Sequence, residues 1–154
     1  MTTAQKILSE KGGGIIGVPP ETTVSETLRR MAEHKVGAIV VLDGETPIGI
    51  WTSRDLMRNI LLPDFDPQRD PIAKYMQTHL KTALHTATAY EMMDKFLGLR
   101  VNHLLIEENG HFIGLLSSGD VMKAAIQEKT EELKSLQSMV SWEYYEEWRW
   151  KPPK

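Results

Sequence analysis

The sequence predicts an α+β chain made of two copies of one small unit, each running strand, helix, strand, strand, helix, with a long C-terminal helix after them. Three observations carry this. The first is an ungapped internal repeat at an offset of 65 residues, holding from position 24 to position 58. Val24 to Met31 lies over Ala89 to Phe96, Val36 falls on Val101, and Ile39-Val40-Val41 falls on Leu104-Leu105-Ile106. Ile48-Gly49-Ile50 meets Ile113-Gly114-Leu115, and Thr52-Ser53-Arg54-Asp55 meets Ser117-Ser118-Gly119-Asp120. The second is a switch, within each copy, from helical spacing of apolar residues to short continuous apolar runs that suit buried strands. The third is a length of 154 residues with 41% hydrophobic residues and no cysteine, enough to bury a core without disulfides.

In the first copy, Ile15 to Val18 reads as an extended lead-in. Thr22 or Thr23 caps a helix to about His34, with Val24, Leu28, Met31 and Ala32 on one face, and Gly37 ends it. Ala38 to Leu42 is a strand, Asp43-Gly44 starts a turn, and Ile48 to Trp51 returns antiparallel. Thr52 or Ser53 then caps a helix to about Leu61. The second copy supplies a lead-in at 82 to 84, a helix from about Ala89 to Gly98, strands at 103 to 107 and 112 to 116, and a helix from Ser118. One such unit cannot cover both faces of its sheet, so the two are expected to pack about a pseudo-two-fold axis with equivalent strand ends adjacent across a cleft. The expected organisation is an N-terminal helix within 1–11, a first unit at 12–62, a Pro-rich and charged linker at 63–71, a second unit at 72–126 and an extension at 127–154. Pro71 should open a short helix holding Ile72 and Met76.

The repeated element with chemistry in it is Gly, two apolar residues, Thr or Ser, two variable residues, then Asp: Gly49 to Asp55 and Gly114 to Asp120. It sits where a strand enters a helix, whose unpaired first-turn N–H groups and dipole favour an anion. A hydroxyl and a glycine suit phosphate, and a carboxylate suits paired ribose hydroxyls, so the set fits a ribose phosphate better than a bare anion. Plain helix capping by Thr52 and Ser117 fits the same residues, although its repetition at identical positions weighs against capping alone.

Both halves resemble cystathionine β-synthase (CBS) domains, and the pair resembles a Bateman module, over residues 12 to 126. The whole chain is similar to small bacterial stand-alone CBS-pair proteins. The resemblance implies a non-catalytic regulatory module that binds adenosine-containing ligands (AMP, ADP, ATP, NAD or S-adenosylmethionine) between the units, with no metal required. It assigns Thr52 and Asp55 to ribose and phosphate contacts in one cleft and Ser117 and Asp120 to those in the other. Val36-Gly37-Ala38 and Val101-Asn102-His103 would line the clefts, with Ile16 and Leu115 flanking an adenine. His103, partly cationic, and Asn102 are expected to serve the Ser117/Asp120 site, helped by close backbone approach at Gly119. Gly37 and Ala38 take the equivalent places in the Thr52/Asp55 site, whose positive charge must come from Arg54. The alternative is a structural dimerisation module without ligand.

Other features read more plainly. His34, His79, His85 and His111 follow no metal-ligand spacing. Gly12-Gly13-Gly14 lacks the lysine and hydroxyl of a phosphate loop and reads as a joint after a helix at 4 to 11. Met31, Met57, Met76, Met92, Met93 and Met122 are expected mainly in the core. No nucleophile and base pattern marks an enzyme. The net charge of −3, without clustered Lys/Arg, argues against nucleic acid, and no apolar run reaches the ~18 residues of a membrane span, so a cytoplasmic protein is expected. Ile126, Leu133, Leu136, Val140, Tyr144 and Trp148 form a helical stripe, and five of the eleven aromatics lie between Trp142 and Trp150. That stripe needs a partner, either the chain's own sheet or, as the leading expectation, a second copy at a homodimer contact.

Overall fold

The computed structural model describes residues 1–12 and 14–134. The expected stripe positions Leu136, Val140, Tyr144 and Trp148 lie outside the described residues.

Helix α1 (Ala4–Lys11) precedes the first unit: β1 (Gly17–Val18), α2 (Val24–His34), β2 (Ala38–Asp43), β3 (Thr46–Thr52) and α3 (Ser53–Asn59). A single 3-10 turn over Ile72–Lys74 follows Pro71. The second unit comprises β4 (Thr82–Leu84), α4 (Ala89–Leu99), β5 (His103–Glu108), β6 (His111–Ser117) and α5 (Ser118–Leu133). Each unit holds a three-stranded mixed sheet in which the central strand pairs parallel with the lead-in strand and antiparallel with the returning one. The duplication extends to irregularities. Both antiparallel ladders slip at the same place, between Val41 and Leu42 and between Ile106 and Glu107.

Local chemistry accounts for the boundaries. Thr23 and Thr88 cap α2 and α4 by accepting from Glu26 and Glu91 N–H groups. These helices end in left-handed residues, Lys35 and Arg100, each at φ 54°. Gly37, expected to end α2, is therefore not its terminator; Lys35 does so, donating its N–H back to Ala32 and Met31. In the second hairpin Asn109 and Gly110 both take positive φ, 51° and 78°, as a two-residue turn between right-twisted strands requires.

Two clusters form the core, one per unit. Val18, Val24, Met31, Ile39, Val41, Trp51 and Ile72 fill the first; Ala83, Met92, Leu104, Ile106, Leu116 and Val121 fill the second. Helix α1 belongs to the second cluster through Ala4 and Ile7, so the N-terminal helix packs on the far unit, not on the one it leads into. The linker segment does the converse: Ile72 lies in the first cluster. Each unit is thus buttressed by the segment that introduces the other. Met31 and Met92 are buried and Met76 and Met93 partly so, but Met57 and Met122 are exposed; they occupy the outer faces of α3 and α5, correcting the expectation of core methionines there.

This crossed buttressing explains the glycine of the repeated element. A Cβ on Gly114 would meet Leu8 Cδ2 at 2.6 Å, and one on Gly49 would run into the Met76 side chain, whose Cβ is 3.0 Å away. The conserved spacing of the two glycines makes room for an apolar side chain from the buttress, and the reading of them as phosphate-friendly gives way to a packing role.

Candidate functional site

Both strand-to-helix turns close a capping box. Thr52 Oγ1 accepts from the Asp55 N–H at 3.2 Å, while Asp55 Oδ2 accepts from the Thr52 N–H at 3.0 Å. Ser117 Oγ accepts from the Asp120 N–H at 3.1 Å, while Asp120 Oδ2 accepts from the Ser117 N–H at 2.9 Å. A further first-turn N–H is used in each helix, Ser53 donating to Gly37 O at 3.0 Å and Ser118 to Asn102 O at 2.8 Å. The expected row of free helix N–H groups is therefore largely consumed by the fold. Ligand chemistry must come from spare acceptor capacity on the two carboxylates and from the side chains around them.

The carboxylates differ in that capacity. Asp55 is 5% exposed. Its Oδ2 also accepts from Thr52 Oγ1 at 3.0 Å, and its Oδ1 accepts from Gln77 Nε2 at 2.6 Å. Asp120 has a side chain 27% exposed, and its Oδ2 takes a second donor, Lys11 Nζ, at 2.9 Å. Its Oδ1 has no hydrogen-bond partner among the described residues.

Each carboxylate stands in a cleft between the units. The Asp120 cleft, about 580 Å³, is lined from the second unit by His103, Phe112 to Leu115, Ser117 and Asp120, and from the first by Ile15, Ile16 and His34 to Ala38, with Lys11 and Gly12 at one wall. The Asp55 cleft, about 370 Å³, takes Ile50 and Thr52 to Asp55 with Arg58 from the first unit, Arg100 to His103 from the second, and Gln77 and His79 to Lys81 between them.

The geometry brings together most of the residues singled out from sequence but pairs them crosswise. Ile16, Val36, Gly37, Ala38, His103, Leu115, Ser117 and Asp120 share the larger cleft. Thr52, Arg54, Asp55, Asn102, Gly37 and His103 share the smaller. Asn102 therefore does not serve the Ser117/Asp120 cleft, and Ala38 does not line the Thr52/Asp55 one. The ladders set Ala38 beside Thr52 and His103 beside Ser117 within each unit. The residues just before each central strand nevertheless reach over the turn of the opposite unit, as a two-fold arrangement demands. With its amide oxygen turned toward Arg54, Asn102 accepts from both guanidinium nitrogens at 3.2 and 3.1 Å, a contact that joins the units. Gly119 lines neither cleft, and a Cβ there would make only ordinary contact, 3.7 Å from Ser117 Oγ, so no close approach depends on it.

The electrostatics also depart from expectation. Burial pushes the His103 imidazole below its usual pKa of 6.5, the charges of Lys11 and Arg54 push it the same way, and Asp120 opposes them, so His103 is largely neutral at pH 7. The cation paired with Asp120 is instead Lys11. Burial alone would raise the pKa of Asp120, but the Ser117 N–H and the Lys11 ammonium outweigh it and hold the carboxyl below the ordinary value of 3.8. Lys11 and Gln77 are the side chains bonded to the two carboxylates that sequence reasoning did not single out. Both lie in buttress segments outside the 24-to-58 register, where only the three-dimensional crossing brings them to a signature Asp. Among the described residues no group of three or more His, Cys, Asp or Glu could hold a metal ion, and no helix is long and apolar enough to cross a membrane.

Comparison with known proteins agrees with the duplicated architecture. The CBS domain family matches residues 13–62 and again 72–127. An uncharacterised 17.7 kDa protein of Acidianus ambivalens is 30% identical over 115 residues, covering 73% of this chain and 68% of its own length. The crystal structure of a CBS-domain-containing protein from Agrobacterium tumefaciens aligns with a TM-score of 0.75 at 30% identity, over 80% of this chain and 99% of that one. A CBS domain protein from Pyrobaculum aerophilum, described as complexed with AMP, shares the fold with a TM-score of 0.71 at 19% identity, over 82% of this chain and 96% of its own. Two matched repeats spanning most of the sequence, two superposable units and a cleft at each junction make this chain a tandem CBS-domain protein, a Bateman module of the CBS family.

Proposed function

We propose that this protein is a non-catalytic regulatory module that binds an adenosine nucleotide in the Asp120 cleft. The observation that carries the reading is the Oδ1, without a partner among the described residues, of a half-buried, ionised carboxylate beside the Ser117 hydroxyl, in a cleft with apolar walls at Ile16, Val36 and Leu115. The oxygens suit a ribose diol and the apolar walls suit a flat base. AMP is what the Pyrobaculum relative is described as holding, and ADP, ATP and NAD share the nucleoside that this cleft would recognise. Because the walls come from both units, a ligand bridging them favours the closed arrangement and alters what the module presents to partners. A homodimer of cytoplasmic protomers fits this role, and the exposed Met57 and Leu61 on one unit and Met122 and Ile126 on the other offer apolar surface for it.

The competing reading, a structural dimerisation module, gains support from the two capping boxes, which give both signature carboxylates a role without ligand. Native mass spectrometry and thermal melts of the purified chain separate the two. A bound or added adenosine nucleotide, with a stabilisation of about 2.7 kcal/mol at 100 times its dissociation constant, supports the sensor; no nucleotide adduct and no shift supports the scaffold.

A further inference from the structure

We infer that Lys11 makes the Asp120 cleft selective for phosphorylated nucleosides over neutral or cationic ones, by exchanging the carboxylate for the ligand's phosphate. This rests on the adenosine-nucleotide reading of the same cleft and adds to it the charge of the ligand that the cleft accepts.

The position of Lys11 is fixed at its backbone and free at its tip. Helix α1 is anchored on the second unit by Ala4 and Ile7, both buried, and by Leu8 over Gly114. Lys11 is its last residue, and Gly12, at φ 66°, turns the chain away immediately afterwards. From there the side chain spans the cleft wall so that Nζ lies 2.9 Å from Asp120 Oδ2 and 3.4 Å from Leu115 O. The pair is half open to water, with side-chain exposures of 40% and 27%, so it is held only weakly and the four-carbon stem can swing without moving the helix.

A ribose diol that takes both oxygens of Asp120 finds Oδ1 free among the described residues but Oδ2 already holding Lys11. A nucleoside without phosphate gains the second oxygen only by displacing the ammonium, which is then left without an anion in a cleft also lined by Lys35, His34 and His103. A nucleoside 5′-phosphate supplies the displaced ammonium with a dianion of its own, so both charged groups keep a partner. A cationic nucleoside adds repulsion from Lys11 and Lys35 to the same displacement. The Asp55 cleft lacks this device: the donor on its carboxylate is the neutral amide of Gln77, whose departure releases no charge.

The test is calorimetry on the full chain with AMP and with adenosine, for the wild type, Lys11→Gln and Lys11→Arg. The wild type should prefer AMP by about tenfold or more, the scale of one charge-assisted contact. Lys11→Gln should weaken AMP and tighten adenosine, moving the two affinities in opposite directions, whereas Lys11→Arg should keep the preference. If both affinities fall together or neither changes in Lys11→Gln, while the wild type still binds AMP, the selectivity role is overturned and the nucleotide reading stands. If the wild type binds neither compound, the nucleotide reading fails and the selectivity inference falls with it.

Discussion

Asp55 and Asp120 occupy the same place in two copies of one sequence element, close the same capping box and stand in equivalent clefts, yet one is spent on the fold and the other is not. Asp55 receives a hydroxyl and an amide in addition to its capping N–H, and sits buried. Asp120 receives its capping N–H and an ammonium on one oxygen and keeps the other free among the described residues. The difference originates outside the repeat, in what each buttress brings: Gln77 in one case, Lys11 in the other. An amide pins a carboxylate with a neutral donor, whereas an exposed ammonium neutralises it and can be traded for another anion's company. Duplication thus supplies two frames, and the crossing segments decide which frame is left open for a ligand.

The largest expected effect comes from breaking each carboxylate separately. Asp120→Ala should lower nucleotide affinity by roughly 10–100-fold, the loss of charge-assisted hydrogen bonds of about 1.5–3 kcal/mol. Asp55→Ala should leave that affinity nearly unchanged but cost about 1–3 kcal/mol of unfolding free energy, because three donors lose a buried acceptor. Calorimetry paired with urea denaturation measures both. Equal loss of binding in the two variants would remove the distinction between the clefts.

The glycines sharpen the same contrast on the packing side. Gly49→Ala presses on Met76 near its Cβ, close to backbone that cannot yield, and should cost about 1–3 kcal/mol. Gly114→Ala presses on the methyl end of Leu8, which can rotate, and should cost less, under about 1.5 kcal/mol. It should also disturb the seat of α1, and with it Lys11, so AMP affinity should fall in this variant alone. Denaturation midpoints with a single AMP titration of each variant check the ordering.

Gln77→Ala tests whether the smaller cleft is closed only by its amide. The variant frees Asp55 Oδ1 and should lose about 1–3 kcal/mol of stability, one hydrogen bond to a buried carboxylate, while gaining a second nucleotide per chain at high ligand concentration. Native mass spectrometry counts the ligands, and a stoichiometry unchanged from wild type would show that the four cations near that cleft, Arg54, Arg58, Lys81 and Arg100, do not make it a nucleotide site.

Much of this was legible in the residues. The repeat fixes the order of elements, and the hydroxyls with Asp three places on narrow the first unit's helix cap to Thr52 or Ser53, of which the structure uses Thr52, with Ser117 capping its counterpart. What sequence reasoning missed are consequences of the crossing. Assigning Asn102 to its own unit's Ser117/Asp120 site follows chain proximity, but its side chain lies over the other unit's turn, against Arg54. Lys11 sits in an unremarkable amphipathic helix, and Gln77 in a proline-rich approach; neither has a pattern that points 109 or 22 residues away. The end of α2 was misread because Gly37 is the obvious helix breaker, while Lys35 and Arg100 take the left-handed position with side chains that line the clefts. Lysine and arginine there accept a strained φ that glycine would relieve, a local cost that fits residues retained for their charge.

The smallest effect separates the units by pH. His103 stands beside Ser117 in the ladder, and Ala38 stands beside Thr52 at the equivalent place, so the second unit carries an imidazole where the first carries a methyl group. Burial, Lys11 and Arg54 depress the His103 pKa below 6.5 and Asp120 resists them. In the unfolded chain the imidazole regains its ordinary value, so the unfolded state binds more protons between the two. Stability from this group is therefore complete above about pH 6.5 and is lost as pH falls through the folded value. Proton NMR of the imidazole should place its midpoint below about 6.5, and thermal melts should soften between about pH 7 and pH 5 in a way that His103→Ala flattens. Lys11→Gln, by removing one of the two cations, should move the midpoint upward. A phosphate held by Lys11 would do the same more strongly, so AMP should raise the His103 midpoint while adenosine, which brings no anion, should not raise it; a midpoint above about 6.5 in the free protein would contradict the burial and charge that this cleft imposes.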